Sequence, residues 1–180
     1  MKFWEYLIAT LIGTIAGFIF SLTLFWLKER SKKKSNINNL LKNLRYEFEY
    51  NLNLFRKYSQ KLTECIEAVN SGNHSVYLQL DYNFVASYFS LQFYREGLAS
   101  KYLHYEDMKR WNDFVSNHSS GAEQYVFDTI ENWRKSEAEK EKVVSALKHE
   151  IDQLNYAIEM IEYLKQKIPD KDKLRVIIHH

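Results

Sequence analysis

Arg175 and His180 are the Arg/His pair in this chain with four intervening residues. Helical RNA-cleaving domains use that pattern at a spacing of about four to six, with Arg holding phosphate and His doing acid–base work on the 2′-hydroxyl. Two further pairs, Arg95/His104 and Arg110/His118, are separated by eight and seven residues and miss the spacing. The other histidines scatter. There is no H-E-x-x-H, no Cys/His cluster, no Walker-type loop and no G-x-S-x-G. A single cysteine, Cys65, excludes an internal disulfide and a multi-Cys zinc site. No metal and no cofactor is expected, and a weak ribonuclease motif is the only catalytic candidate.

The elements that would position such residues are helical. The chain has 180 residues, 46% hydrophobic and 16% aromatic, with only five Gly and one Pro. That is too few turn residues for a sandwich, a barrel or a doubly wound sheet. The expected fold is all-α: an N-terminal transmembrane helix with its basic flank (1–34), then a helical cytosolic bundle with long amphipathic helices (35–180).

From Tyr6 to Leu27 no residue is charged. As a helix this stretch rises about 33 Å, enough for a hydrocarbon core of about 30 Å. Trp4, Tyr6 and Trp26 mark its ends, as aromatic belts do. A signal peptide fits poorly, since its apolar region is shorter and ends in a small-residue cleavage site. Lys28, Arg30, Lys32, Lys33 and Lys34 follow, opposed only by Glu29. The positive-inside rule then places the N-terminus outside and the body in the cytoplasm, and the basic run can attract anionic headgroups. Ala9, Gly13, Gly17 and Ser21 repeat every four residues, and Thr10 and Thr14 fall within the same arc of about 140°. Small residues let helices approach closely. This face predicts self-association, in a plain bundle or around a narrow aqueous path.

The body is net −2, while residues 1–34 carry +4. The basic footprint of nucleic-acid binding is missing from it. Ile37, Leu41, Leu44, Phe48, Leu52, Phe55, Leu62, Ile66 and Val69 predict a helix that Ser35 or Asn36 could cap, or that continues the span with little break, and that stops at Ser71-Gly72-Asn73. Asp81 is expected to cap a helix through Glu96, and a second is expected from Tyr105 to Asn117. The aromatic density here reads as core, with a base-stacking platform as the lesser reading. Val76, Leu78 and Leu80 alternate too briefly to claim a strand. Ser120-Gly-Ala-Glu123 fits a capping box opening a last helix that ends at Pro169. Its seam is expected at Val144, Leu147, Ile151, Leu154, Ile158, Ile161 and Ile168. The charged run Arg134–Lys142 reads as a solvated helical face or a projection. The β-branched, apolar end, Lys173-Leu-Arg-Val-Ile-Ile-His-His180, could add a short extended arm to a neighbour; His179-His180 also fit a purification-tag remnant.

One N-terminal span, oriented out-to-in, followed by a helical body ending in Arg-x4-His, resembles the small single-span accessory proteins of type VI-B CRISPR systems. The resemblance covers architecture and length. It implies a divergent HEPN-type helical RNase domain, a homo-oligomeric pore in the bacterial inner membrane, and antiviral defence downstream of an RNA-guided, RNA-targeting effector. Val176 stands where the RNase pattern has a polar residue, and the motif does not open a helix inside a bundle. Both departures argue against cleavage and leave the pore standing. The alternatives are a membrane-tethered scaffold that binds a cytosolic partner, and a membrane-tethered ribonuclease.

Overall fold

The computed structural model describes residues 2–117 and 123–169. These residues are all-helical, with no strand among them. The first helix, α1, runs Lys2–Asn70, followed by a 3₁₀ turn Tyr82–Phe84. Then come α2 (Tyr88–Arg95), α3 (Ala99–Tyr102), α4 (Tyr105–Asn117), α5 (Gln124–Arg134) and α6 (Lys140–Lys167). The unbroken length of α1 has a simple cause. Between Gly17 and Gly72 there is neither Gly nor Pro, so nothing removes a ladder donor or loosens the backbone. The chain divides into two compact units at Leu40–Leu41, a few residues beyond the basic flank that set the expected boundary.

In the second unit the C-terminal part of α1 lies antiparallel to α6. Arg45 Nη2 donates to the Ile168 carbonyl at 2.6 Å, Lys165 pairs with Glu49, Arg56 meets Glu162 at 2.6 Å, and Lys140 Nζ donates to the Asn70 carbonyl at 2.9 Å. Between them the two apolar stripes close on one another. Leu44, Phe48, Leu52, Phe55, Leu62 and Val69 are buried from α1, and Leu147, Leu154, Ala157, Ile161 and Leu164 from α6. Each such side chain is worth about 1.5–3 kcal/mol when fully buried, whereas the half-exposed Arg56–Glu162 pair adds less than about 1 kcal/mol. Helix α4 completes this core. Phe48 meets Trp111 edge-on at 5.6 Å, and Phe55 meets Phe114 at 5.3 Å.

Several expected elements are present. The span and the first body helix are one helix, stopping where Gly72 was expected to stop it. Helix α4 has the expected bounds, with Trp111 and Phe114 buried. Gly72 (φ 75°) sits just past the end of α1, and Gly97 (φ 67°) just past α2, in the left-handed conformation that closes a Schellman motif.

Three expectations are corrected. The helix from Asp81 to Glu96 is split: Asp81 does cap, accepting from Asn83 N–H at 2.9 Å, but it opens only the 3₁₀ turn, and α2 starts at Tyr88. The last helix is two helices. Ser136 takes φ 61°, with Ser136 N–H donating to Trp133 O at 2.9 Å and Glu137 N–H to Asn132 O at 2.8 Å. That is the same Schellman closure made without glycine, so the charged run is a turn between α5 and α6, and α5 packs back on α6. The α6 seam is also rotated. Val143, Leu147, Leu154, Ala157, Ile161 and Leu164 are buried, while Val144, Ile151 and Ile158 lie half-buried along its flank. Ser120, the expected cap of α5, lies outside the described residues.

Candidate functional site

The N-terminal part of α1 is long and apolar enough to cross a membrane, and none of its apolar window is buried in the protein. At about 100° per residue, Leu7, Leu11, Ile15, Phe18, Leu22 and Phe25 run down one side; Ala9, Gly13 and Gly17 turn away from it, and Ser21 and Thr14 lie along its edge. Gly13, Gly17 and Ser21 are exposed, and a Cβ added at either glycine would meet nothing within 4 Å. Ala9 is on the helix, with its side chain outside the described ones. The threonines do less for a polar path than expected. Thr10 Oγ1 donates to Tyr6 O at 2.8 Å, Thr14 Oγ1 to Thr10 O at 2.9 Å and Thr23 Oγ1 to Ile19 O at 2.8 Å. Each hydroxyl proton is committed within the helix, and only lone pairs face outward. Lys28, Arg30, Lys32, Lys33 and Lys34 are all exposed, and the Arg30 guanidinium sits 5.4 Å from the Trp26 ring centre. This arrangement can pack helix on helix and attract anionic headgroups.

Arg175 and His180, the candidate catalytic pair, lie outside the described residues. Among the described residues no three His, Cys, Asp or Glu side chains are grouped to hold a metal ion. Cys65 and three tyrosines of the body are shifted away from reactivity. Burial pushes the Cys65 thiol up to about 11 and Tyr94 up to about 12. Tyr82 is pushed well above the tyrosine range by burial first, then by the Glu150 carboxylate that accepts its hydroxyl. Burial also raises Tyr58. A protonated buried thiol is a poor nucleophile. An open groove of about 510 Å³ beside Asn70, Lys140, Lys148, His149 and Asp152 carries charges of both signs on largely exposed side chains, with Lys140 already engaged by Asn70.

Sequence reasoning missed a ladder of polar side chains on α1. Glu47 is buried and accepts from Phe89 N–H (2.6 Å), Ser90 N–H (2.9 Å) and the Ser90 hydroxyl, capping α2 from another helix. Asn51 holds both backbone groups of Ala86, Tyr58 both of Asp81, and Lys61 the Gln79 carbonyl at 3.0 Å. Residues 79–90 therefore run antiparallel along α1, held by side chains instead of by a sheet. The only trace in the sequence is Glu47 and Asn51, two polar residues four apart beside an apolar stripe. No family model, no curated protein and no solved structure matches this chain.

Proposed function

We propose that this chain is a single-span membrane protein, N-terminus outside and body in the cytoplasm, that self-associates through its small-residue face into a pore. In this reading it depolarises the inner membrane of a bacterium downstream of an RNA-guided effector, as the family resemblance implies. The observation that carries the proposal is the helix Tyr6–Leu27. It is uncharged, buries none of its apolar surface within the chain, and leaves Gly13 and Gly17 open to a neighbour. Such a surface is stable in lipid, and its small-residue side is stable against another helix.

One observation favours the scaffold reading. Because the threonine protons are spent on their own helix, the small-residue face offers little to a water column. Potassium release from vesicles carrying the full chain separates the two. Release by the wild type, lost in Gly13→Leu with Gly17→Leu, supports a pore built on this face. An oligomer that releases nothing supports the scaffold. RNA incubated with the same preparations is expected to stay intact, and cleavage lost on Arg175→Ala and His180→Ala would restore the ribonuclease reading.

A further inference from the structure

The small-residue face does not end with the apolar stretch. Along a left-handed helix pair, contacts recur at alternating steps of three and four residues. From Gly17 and Ser21 those steps reach Leu24, Lys28, Ser31 and Ser35, all exposed on α1. At about 100° per residue, Lys28 lies within about 20° of Gly17 and of Ser21, and Lys32 within about 20° of Ser21. Arg30, Lys33 and Lys34 stand about 120° or more round the helix from Lys28. Among the described residues, no carboxylate forms an ion pair with Lys28 or Lys32. A neighbour in the same membrane presents the same residues at the same height. Joining two copies on this face therefore sets Lys28 against Lys28 and Lys32 against Lys32. Packed helix axes lie about 8–10 Å apart, and physiological salt, with a Debye length of about 8 Å, screens such charges only in part. The face that draws the helices together is thus opposed by its own cations at its C-terminal end.

We propose that Lys28 and Lys32 of adjoining copies together hold the phosphate of an anionic phospholipid headgroup, and that self-association through the small-residue face depends on that lipid. One anion shared between two copies replaces a repulsion by charge-assisted hydrogen bonds from both. Depth selects the lipid as its source. Lys28 is the first residue past the uncharged stretch, and Lys32 rises about 6 Å beyond it, within the roughly 5–8 Å of polar headgroup layer on one side of a bilayer. The Arg30 guanidinium, 5.4 Å from the Trp26 ring centre, ties the flank to an aromatic residue of the interfacial belt at the same level. The three cations that point away from the seam remain free to meet the surrounding leaflet.

The lipid requirement rests on the self-association proposed above, and cross-linking with sizing tests the two separately. The full chain with Cys65→Ser and Leu24→Cys, reconstituted in vesicles and oxidised, reports the seam as a disulfide-linked dimer. Leu22→Cys, about 160° round the helix from Leu24, is the control position and should give none. Vesicles with about one-third phosphatidylglycerol are expected to give severalfold more dimer than neutral phosphatidylcholine. Lys28→Gln with Lys32→Gln should give the high yield in both, and Lys33→Gln with Lys34→Gln should keep the lipid dependence. Equal yields from the parent chain in both vesicles overturn the lipid requirement and leave self-association standing. Inorganic phosphate that restores the yield in neutral vesicles, at matched ionic strength, overturns the lipid as the source of the anion. A lipid dependence that survives Lys28→Gln with Lys32→Gln, or is lost with Lys33→Gln and Lys34→Gln, overturns the assignment to Lys28 and Lys32. An oligomer by size without the Leu24 link overturns the seam, whereas a monomer in every vesicle overturns this proposal and the self-association together.

Discussion

Asn51 satisfies both backbone groups of Ala86: its Nδ2 donates to the Ala86 carbonyl at 2.7 Å, and its Oδ1 accepts from the Ala86 N–H at 2.9 Å. Asn51 is fully buried, so bulk water does not reach that spot. Asn51→Ala leaves two backbone groups without these partners, at about 1–3 kcal/mol each. Urea unfolding of the full chain in detergent should show a loss of about 2–4 kcal/mol. A loss under 1 kcal/mol would mean that the segment is held mainly by the apolar contacts of Leu78 and Leu80.

Ser136 sits at a left-handed position that glycine occupies without steric cost. Ser136→Gly should stabilise the chain by about 0.5–1 kcal/mol, read as a raised thermal midpoint. A lowered midpoint would show that the added freedom of the unfolded chain outweighs the relieved strain.

Rotation of the α6 seam separates two neighbouring positions. Leu154 is buried and Ile151 is half-buried on the flank. Leu154→Asp puts a carboxylate into the α1–α6 core and should cost several kcal/mol, abolishing folded expression. Ile151→Asp can turn its charge to water and should cost about 1–2 kcal/mol, leaving the circular dichroism of the wild type. Equal damage from both would restore the seam as the periodicity placed it.

Stability should fall in alkali, starting with Cys65. Its thiol titrates near 9 when free and is pushed up to about 11 in the fold, so the folded state holds its proton longer. That preference is fully present below pH 9 and is lost as pH rises through 11. Tyr94 adds the same sign between 10 and about 12. The urea midpoint of the wild type should drop from pH 9 upward, and Cys65→Ala should flatten the curve between pH 9 and 10, where tyrosine contributes little.

Much of the architecture is legible in residue spacing. The buried stripe of α1, the bounds of α4, and the period-two burial of Val76, Leu78 and Leu80 all follow from apolar periodicity. What escaped has a common physical cause. The α5–α6 turn is made by a serine in a conformation signalled by glycine elsewhere, so no composition cue marks it. The start of α2 is fixed by Glu47 and Asn51, more than thirty residues away in sequence, and local propensity cannot register them. The α6 seam turned because Ala157 packs inward and Glu150 is engaged by Tyr82 beside it, and a purely apolar template passes over both. At the small-residue face the spacing was legible, but the internal commitment of the threonine protons was not.

The ladder on α1 also separates rigidity from regular structure. The amides of Ala86, Phe89 and Ser90 are locked by side chains of a helix formed from a distant part of the chain. The backbone of Tyr77, a few residues earlier, has no such partner among the described residues. Hydrogen exchange at Ala86, Phe89 and Ser90 is then governed by α1 side chains, because releasing these amides requires Asn51 and Glu47 to let go, while the Tyr77 amide exchanges without that restraint. A stretch without a sheet thus draws its protection from two side chains of the longest helix, and its slow amides report whether Asn51 and Glu47 hold.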